Sequence, residues 1–273
     1  MTFSIIIPLF NKEHTIADAI HSVVLQTRRD FEIIVVNDGS SDNSLSAAKS
    51  VEDSRISIFT TANNGPGSAR NFGIRKAQGT WIVFLDADDK LLPEALDSFA
   101  SAISEDPSCD IVYGTTVFNR KETISLFPKQ SRRGKVRNPY KEAFFRKISI
   151  AAGSACIKRE ALLKDPFNEV YRRTEDVDLH RRLWKRCRCF RIVEPTIWVN
   201  SEFAESSKPR TDPTEDYICH ISLEHARFWE RMYLYELYLG AKNTYGLTGS
   251  ELSHNYDRRY LLLLLNRLLL KKW

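Results

Sequence analysis

Two aspartates one residue apart, Asp86 and Asp88, are the first candidates for chemistry in this 273-residue chain. They follow an apolar run at residues 81–85, and two carboxylates this close repel each other unless a cation lies between them. Hard oxygen ligands favour Mg²⁺ or Mn²⁺, which keep waters and are completed by phosphate oxygens. The pair therefore indicates a diphosphate site. Equally compatible with the spacing is a capping role for Asp88 and Asp89 before the helix that Pro93 opens.

A glycine-rich loop at residues 63–71 precedes the third predicted helix. It misses the dinucleotide fingerprint G-x-G-x-x-G, because Arg70 stands at the third glycine position and the loop follows the third predicted strand instead of the first. Glycines and an arginine at a helix amino terminus suit the phosphates or base of a nucleotide. The loop indicates nucleotide recognition without a nicotinamide cofactor, and the absence of a Walker A sequence argues against a P-loop ATPase.

The elements that position these residues alternate between strand and helix over the first hundred residues. This alternation predicts an α/β fold with a parallel sheet, right-handed crossovers and helices on both faces. In such a sheet, ligands bind at the carboxyl ends of the strands, where this chain is unusually polar. We expect the first strand to stop at Pro8. The predicted strands are residues 3–7, 32–36, 55–59 and 81–85, and the predicted helices are residues 12–26, 42–51, 67–77 and 93–103.

Four motifs in order resemble family 2 glycosyltransferases of the GT-A fold, in particular bacterial polysaccharide and O-antigen enzymes. The resemblance covers about residues 3–200. It is specific for fold and reaction class and says little about the sugar. It implies a Rossmann-like, nucleotide-diphospho-sugar transferase fold with a C-terminal helical extension. The motifs are SIIIPLFN at 4–11, EIIVVNDGSSD at 32–42, NGPGSARNFG at 64–73 and FLDADD at 84–89, and a segment at 153–183 resembles the acceptor-side pattern.

The resemblance also implies roles for individual residues on the donor side. Asp38 would accept a hydrogen bond from the base, most often uracil, and Arg70 would lie beside the base and phosphates. Asp86 would approach the ribose, and Asp88 would hold the metal, Mn²⁺ or Mg²⁺, that bridges the donor diphosphate. The remaining nucleotide-sugar residues implied in this way are Pro8, Asn11, Glu13 and Ala87.

On the acceptor side, the resemblance makes Asp176 the general base of an inverting transfer, with Glu175 beside it. A carboxylate that takes the acceptor's hydroxyl proton contributes typically about 10²- to 10⁴-fold. Without the resemblance, helix capping by Thr174 with an acidic first turn is the favoured interpretation. Many relatives carry a later histidine that can complete the metal site, and residues 198–207 contain none. Metal binding would then rest on Asp88, the diphosphate and water.

The net charge of +5 is unevenly distributed. Residues 1–100 carry 9 basic and 13 acidic side chains, whereas residues 101–273 carry 31 and 22. Ten of the basic residues fall within 120–147, which is either a solvated face or a lid that attracts an anionic acceptor such as a lipid-diphosphate-linked saccharide. No nucleic-acid-binding module accompanies the charge, so no nucleic-acid partner is expected. The ten are Arg120, Lys121, Lys129, Arg132, Arg133, Lys135, Arg137, Lys141, Arg146 and Lys147.

The predicted domain organisation is a catalytic domain at 1–210 followed by a helical extension at 211–273. Within the domain, residues 1–105 form the nucleotide-sugar half and residues 106–210 the acceptor half. Residues 215–241 are predicted to form one long helix.

Residues 258–273, from Arg258 to Trp273, are rich in leucine with basic flanks and are too short to cross a bilayer. They suit a helix at an anionic membrane surface, and the alternative is a helix in the core or between two copies of the chain. Five cysteines without a CxxC pair and no cleavable secretory signal favour reduced thiols and a cytoplasmic location. With the terminal helix at a membrane surface, the protein would be peripheral on the cytoplasmic face of the inner membrane.

The expected function is therefore a metal-dependent, inverting glycosyltransferase that moves a sugar from a UDP-sugar to a glycan or lipid-linked saccharide in surface-polysaccharide synthesis. A Mg²⁺-dependent phosphotransferase or phosphatase would use Asp86-x-Asp88 as a nucleophile pair. That class needs the pair after the first strand of the sheet, and here it follows the fourth. A non-catalytic nucleotide-sugar-binding protein is the other alternative.

Overall fold

A computed structural model describes residues 2–120, 123–128, 132–200, 212–221 and 225–245 of the chain. In these residues, helices cover both faces of a mixed sheet. The strands are β1 (Phe3–Leu9), β2 (Phe31–Asp38), β3 (Ile56–Thr61), β4 (Trp81–Phe84), β5 (Lys90–Leu91), β6 (Ile111–Arg120), β7 (Thr123–Phe127), β8 (Gly134–Val136), β9 (Ala155–Lys158) and β10 (Cys189–Asn200). The helices are α1 (Ile16–Val24), α2 (Ser44–Lys49), α3 (Pro66–Lys76), α4 (Ala95–Glu105), α5 (Pro139–Phe144), α6 (Arg159–Lys164), α7 (Glu175–Leu183) and α8 (Phe228–Tyr245).

The sheet order is β3-β2-β1-β4-β9-β6-β10-β5, with β7 beside β6 and β8 beside β10. The first four strands run parallel, as the sequence predicts. Strand β9 runs antiparallel to both β4 and β6, and so attaches the second half of the chain to the first. The chain order reverses between β1 and β4, and this reversal opens a crevice at the carboxyl ends of those two strands.

The central strands are apolar throughout because both of their faces are covered. In β1, Ile5 and Ile7 belong to the core beneath α1 and α4, whereas Ile6 belongs to the opposite core beneath α3. All three are fully buried. A strand buried on both faces loses the alternation of apolar and polar residues that marks a half-exposed strand.

The expectation that the first strand stops at Pro8 is wrong, because β1 continues to Leu9. Pro8 pairs in register with Val36 of β2. The carbonyl of Ile6 accepts a hydrogen bond from the Leu85 N–H on the β4 side. Residues two apart in a strand face the same neighbour, so the missing N–H of Pro8 points to the side on which β4 has already ended.

The predicted long helix at 215–241 is also wrong in its first part. The chain forms a short 3-10 turn at Tyr217–Cys219, and α8 begins only at Phe228. Asp216 is the N-cap of this turn, and its carboxylate accepts a hydrogen bond from the Ile218 N–H. The same carboxylate is held by the Thr174 and Tyr245 hydroxyls, which fixes the chain at this point. Helix α8 then packs on the domain through Met232, Leu234 and their neighbours.

The basic stretch at 120–147 is partly tied down by ion pairs. Arg133 contacts Glu105 and Glu194, and Arg146 contacts Glu236. Lys121 and Lys129 lie outside the described residues, as do residues 258–273. Within the part of the chain that the structure describes, no helix is both long and apolar enough to cross a bilayer.

Candidate active site

The acidic loop after β4 lies in the crevice and is held by the Lys12 ammonium and by a backbone N–H group. Asp88 and Asp89 are 8% and 6% exposed. Asp88 Oδ2 accepts a hydrogen bond from Lys12 Nζ at 2.7 Å, and the Asp89 carboxylate accepts one from the Asn200 N–H at 3.0 Å. Helix α4 begins later, at Ala95, so the alternative that Asp88 and Asp89 cap it is wrong.

Three carboxyl groups are crowded together in this loop. Burial, and then the charge of Asp86, raise the pKa of Asp88 despite the Lys12 ammonium. Burial and the charges of Asp86 and Asp88 raise the pKa of Asp89 to about 9. Carboxylates crowded in this way favour an additional cation. The described residues contain no cluster of three or more metal-ligating side chains, so a cation here would need phosphate oxygens and water to complete its shell.

Arg70 joins the two acidic motifs. It lies on α3 and is 7% exposed. Its Nη2 donates to Asp86 Oδ1 at 2.8 Å, and its Nη1 donates to Glu175 Oε1. The guanidinium also lies over the Phe167 ring, 5.4 Å from the ring centroid. Arg70 thus connects the loop after β4 with the start of α7.

Asp38, at the end of β2, holds the glycine loop. The carboxylate is 3% exposed and accepts hydrogen bonds from the Asn64 and Gly65 N–H groups and from the Thr61 hydroxyl. Gly65 has a φ of 93°, a conformation that favours glycine. The loop needs Asp38 for its conformation, which is a structural reason for the acid at this position.

The other donor-side candidates lie at the ends of β1 and β4. The Asn11 side chain accepts from the Ser41 N–H at 2.9 Å, and Glu13 accepts from the Asn43 N–H at 2.9 Å. These bonds tie the loop after β1 to the loop after β2. Pro8 lies within β1, and Ala87 is 3% exposed in the acidic loop.

Glu175 and Asp176 open α7, but the capping expected from Thr174 is not made. Thr174 has a φ of 49° and its hydroxyl donates to Asp216 instead. Asp176 Oδ1 accepts from the Val177 N–H at 2.8 Å. Burial and the Glu175 charge raise the pKa of Asp176 to about 7, although the Arg70 charge opposes them. A carboxylate with a pKa near neutral can take up a proton at physiological pH.

Asp86 and Asp176, distant in the sequence, line the same pocket. Arg70 lies between them on the wall, and the pocket volume is about 40 Å³. His180, one helical turn after Asp176, also lines it. His180 is not among the residues that the sequence motifs single out. Its spacing of four residues from Asp176 on one helix is the signal that could have placed both side chains on the same face.

Asp216 is a second residue that the sequence analysis did not single out. It is fully buried, and its carboxylate accepts from the Thr174 and Tyr245 hydroxyls. The Tyr217 N–H donates to the Arg173 carbonyl beside it. Thr174 is β-branched and has a positive φ, so its backbone is strained. Such strain persists only where surrounding contacts hold the residue, and the bond to Asp216 is one of them. The chain after residue 211 therefore fixes the backbone directly before Glu175.

Residues 4–171, more than half of the chain, match the sequence profile described as Glycosyl transferase family 2. The chain belongs to this family. A relative from Escherichia coli, the UDP-Glc:alpha-D-GlcNAc-diphosphoundecaprenol beta-1,3-glucosyltransferase WfgD, is 35% identical over 45% of the chain and 49% of its own length.

Two other relatives of this family 2 member carry the name uncharacterized glycosyltransferase. EpsJ of Bacillus subtilis is 48% identical over 32% of the chain and 26% of its own length. A Rickettsia felis protein is 42% identical over 34% of the chain and 16% of its own length. The matched region is thus a minor part of each of these two relatives.

Solved structures of S. aureus TarS share the fold of this family 2 member. TarS 1-349 in complex with UDP superposes with a TM-score of 0.71 at 18% identity, covering 98% of the chain and 79% of TarS 1-349. The complex with UDP-GlcNAc gives a TM-score of 0.69 at 20% identity, covering 98% and 72%. The GT-A fold expected from the sequence motifs is confirmed.

Proposed function

We propose that the protein is an inverting glycosyltransferase that moves a sugar from a UDP-sugar to a hydroxyl group of a glycan or lipid-linked saccharide. The observation that carries this proposal is the pocket shared by Asp86 and Asp176. Asp86 comes from the loop in which a donor diphosphate would lie, and Asp176 comes from the helix assigned to the acceptor side. One pocket between a donor loop and a candidate base is the arrangement that group transfer needs.

In the proposed reaction the acceptor oxygen forms a bond to the anomeric carbon as the bond from that carbon to the diphosphate breaks. The acceptor's proton goes to the Asp176 carboxylate, and the bonding electron pair leaves with the nucleoside diphosphate. A base with a pKa of about 7 suits this step, because it is ionised just above neutral pH and still basic enough to accept the proton. The ion pair between Arg70 and Glu175 fixes the side chains next to the Asp176 carboxylate.

A divalent cation, Mn²⁺ or Mg²⁺, fits the acidic loop and would neutralise charge on the departing diphosphate. Asp88 is the carboxylate that would hold it. One Asp88 oxygen already accepts from Lys12 at 2.7 Å, so the ammonium and the metal would share this side chain. Mg²⁺ is often held by one or two carboxylates together with substrate phosphates, which agrees with the crowded carboxyl groups here.

The choice of UDP and of the acceptor class is supported by the relatives. WfgD is named for a UDP-glucose donor and a diphosphoundecaprenol-linked acceptor, and TarS has been crystallised with UDP and UDP-GlcNAc. By analogy, we place the protein in the assembly of surface polysaccharide or glycolipid precursors at the cytoplasmic face of a membrane. A phosphotransferase is not favoured, because Asp86-x-Asp88 follows β4 and not β1.

Calorimetric titration with UDP tests the donor side. Binding should strengthen when Mn²⁺ is added, and Asp88→Ala should lose this metal response. Asp18→Ala, which removes an exposed carboxylate of α1, is the matched control and should keep it. An equal metal response in Asp88→Ala would remove Asp88 as the ligand.

Transfer assays test the acceptor side. Asp176→Asn should bind UDP with unchanged affinity and lose turnover by about 10²- to 10⁴-fold, the range typical of a general base. Turnover at the wild-type rate in this variant would exclude Asp176 as the base. UDP binding without any transfer or hydrolysis in the wild type would instead favour a non-catalytic nucleotide-sugar-binding protein.

A further inference from the structure

The pocket beside Asp176 is lined mainly by apolar residues, which we call its interior walls, and by three charged residues, which we call its rim. The rim carries Asp86, Arg70 and Asp176. Small residues at 151–153 leave the space open. A volume of 40 Å³ accommodates about three water-sized groups. The interior walls are formed by Phe84, Ile150, Ala155, Ile157, Phe167 and Leu179.

One further polar side chain, that of His180, lines the pocket. His180 is 3% exposed, and its Nδ1 lies 2.8 Å from the Tyr113 hydroxyl. Its other ring nitrogen, Nε2, has no hydrogen-bond partner among the described residues. Protein atoms do not fully enclose this nitrogen. Because His180 lines the pocket and its Nδ1 is engaged by Tyr113, we infer that Nε2 is the ring nitrogen that faces the pocket.

The neighbouring hydrogen bonds identify His180 Nε2 as a donor. The Trp184 indole N–H donates to the Tyr113 oxygen at 2.7 Å, and Tyr113 is fully buried. The single Tyr113 hydroxyl proton needs an acceptor, and Nδ1 is the one within reach. Nδ1 is therefore unprotonated. Burial lowers the pKa of His180 to about 3, so the ring is neutral and its one proton is on Nε2.

The chemistry of the pocket selects its occupant. A neutral N–H donor among apolar walls matches an oxygen that only accepts, with a small apolar group attached. The nearby backbone offers little competition, since the Ala151 and Gly153 carbonyls accept from Ser154 and Thr196. A sugar's hydroxyl groups instead match the carboxylates of the rim, which accept hydrogen bonds.

We propose that this pocket receives the acetamido group of a 2-acetamido sugar on the nucleotide donor, with His180 Nε2–H donating to the acyl oxygen. The acyl carbon, its oxygen and the methyl group have the size of the three water-sized groups that the pocket holds. The donor sugar is the source of the group, because Asp86 on the rim is two residues from Asp88, where the diphosphate would lie. This inference rests on the proposed function.

Binding of three ligands tests the inference: UDP, UDP-glucose and UDP-GlcNAc, each titrated into the full chain with Mn²⁺. The acetamido donor should bind about 10- to 100-fold tighter than the hydroxyl donor, the range expected when a small group fills a matched pocket. UDP-galactose and UDP-GalNAc repeat the comparison with the other C4 epimer.

Two variants change the pocket in different ways, one at its hydrogen-bond donor and one at its volume. His180→Asn keeps a polar atom near Nδ1 for Tyr113 and removes the Nε2 donor. Ala152→Val fills the space and leaves His180 unchanged. Both should bring the ratio of the two donor affinities close to one while UDP affinity stays at the wild-type value. Ala161→Val, a half-buried helix position away from the pocket, is the matched control and should keep the ratio.

The outcomes distinguish failure of the acetamido pocket from failure of the proposed function. Equal affinities for hexose and acetamido donors in the wild type, with UDP bound normally, would overturn the acetamido pocket and leave the proposed function in place. An unchanged ratio in Ala152→Val would overturn it as well. If UDP itself does not bind, the proposed function fails, and the inference fails with it.

Discussion

Replacing Arg70 by methionine should destabilise the protein by about 3–5 kcal/mol, the cost of removing one partner from a buried ion pair. Arg70 and its partner Glu175 are both 7% exposed. In Arg70→Met, the Glu175 carboxylate would stay buried without a cation. The second partner, Asp86, has a side chain that is 41% exposed, so water replaces that contact and its loss adds at most about 1 kcal/mol.

The double variant Arg70→Met/Glu175→Leu separates the loss of the ion-pair attraction from the cost of leaving the Glu175 carboxylate buried without a partner. Replacing both members of a buried pair by apolar side chains is often close to neutral, so the double variant should be more stable than Arg70→Met alone by about 2 kcal/mol or more. Urea denaturation followed by circular dichroism measures all three proteins. Lys164→Met, which removes an exposed cation paired with Glu160, is the control and should leave the midpoint unchanged.

The pH dependence of the Arg70→Met variant provides a second test. Burial already raises the pKa of Glu175 in the wild type, and without Arg70 that pKa rises further in the folded state only. A carboxyl group whose pKa is raised on folding destabilises the folded state at high pH, and this loss is relieved as the pH falls below the folded-state pKa. A loss under about 1 kcal/mol at neutral pH, or one that grows on acidification, would refute the argument.

Two further predictions concern the start of α7. The value of kcat/KM should fall as the pH drops below about 7, because Asp176 becomes protonated. Glu175→Gln removes a neighbouring negative charge and should move the midpoint of this fall to a pH lower by about one unit or more. A limb at the same pH in both proteins would contradict the assignment. Asp216→Asn should lose about 1.5–3 kcal/mol in urea and reduce kcat with UDP affinity unchanged, since an amide oxygen cannot replace both carboxylate oxygens that accept from Thr174 and Tyr245. A smaller loss than in Tyr245→Phe would exclude Asp216 as the support.

The sequence predicts the first half of the fold well because the signals there are local. Apolar runs bounded by polar loops locate β1, β2 and β4, and the helices between them begin within a few residues of the predicted positions. The two errors in the bounds of elements have tertiary causes. Pro8 is tolerated inside β1 because β4 ends beside it. Residues 215–221 are not α-helical because the Asp216 carboxylate is held by Thr174, directly before α7, and by Tyr245 of α8.

By itself, the sequence determined the family, the order of the elements and the loops that carry the acidic motifs. These features depend on residue type and spacing along the chain. Only the tertiary structure decided that Arg70 pairs with Glu175, that Lys12 contacts Asp88 and that Tyr113 fixes the proton of His180. Each of these contacts joins residues from different elements, so it depends on which strands are neighbours and how helices pack across them, and no local pattern encodes that.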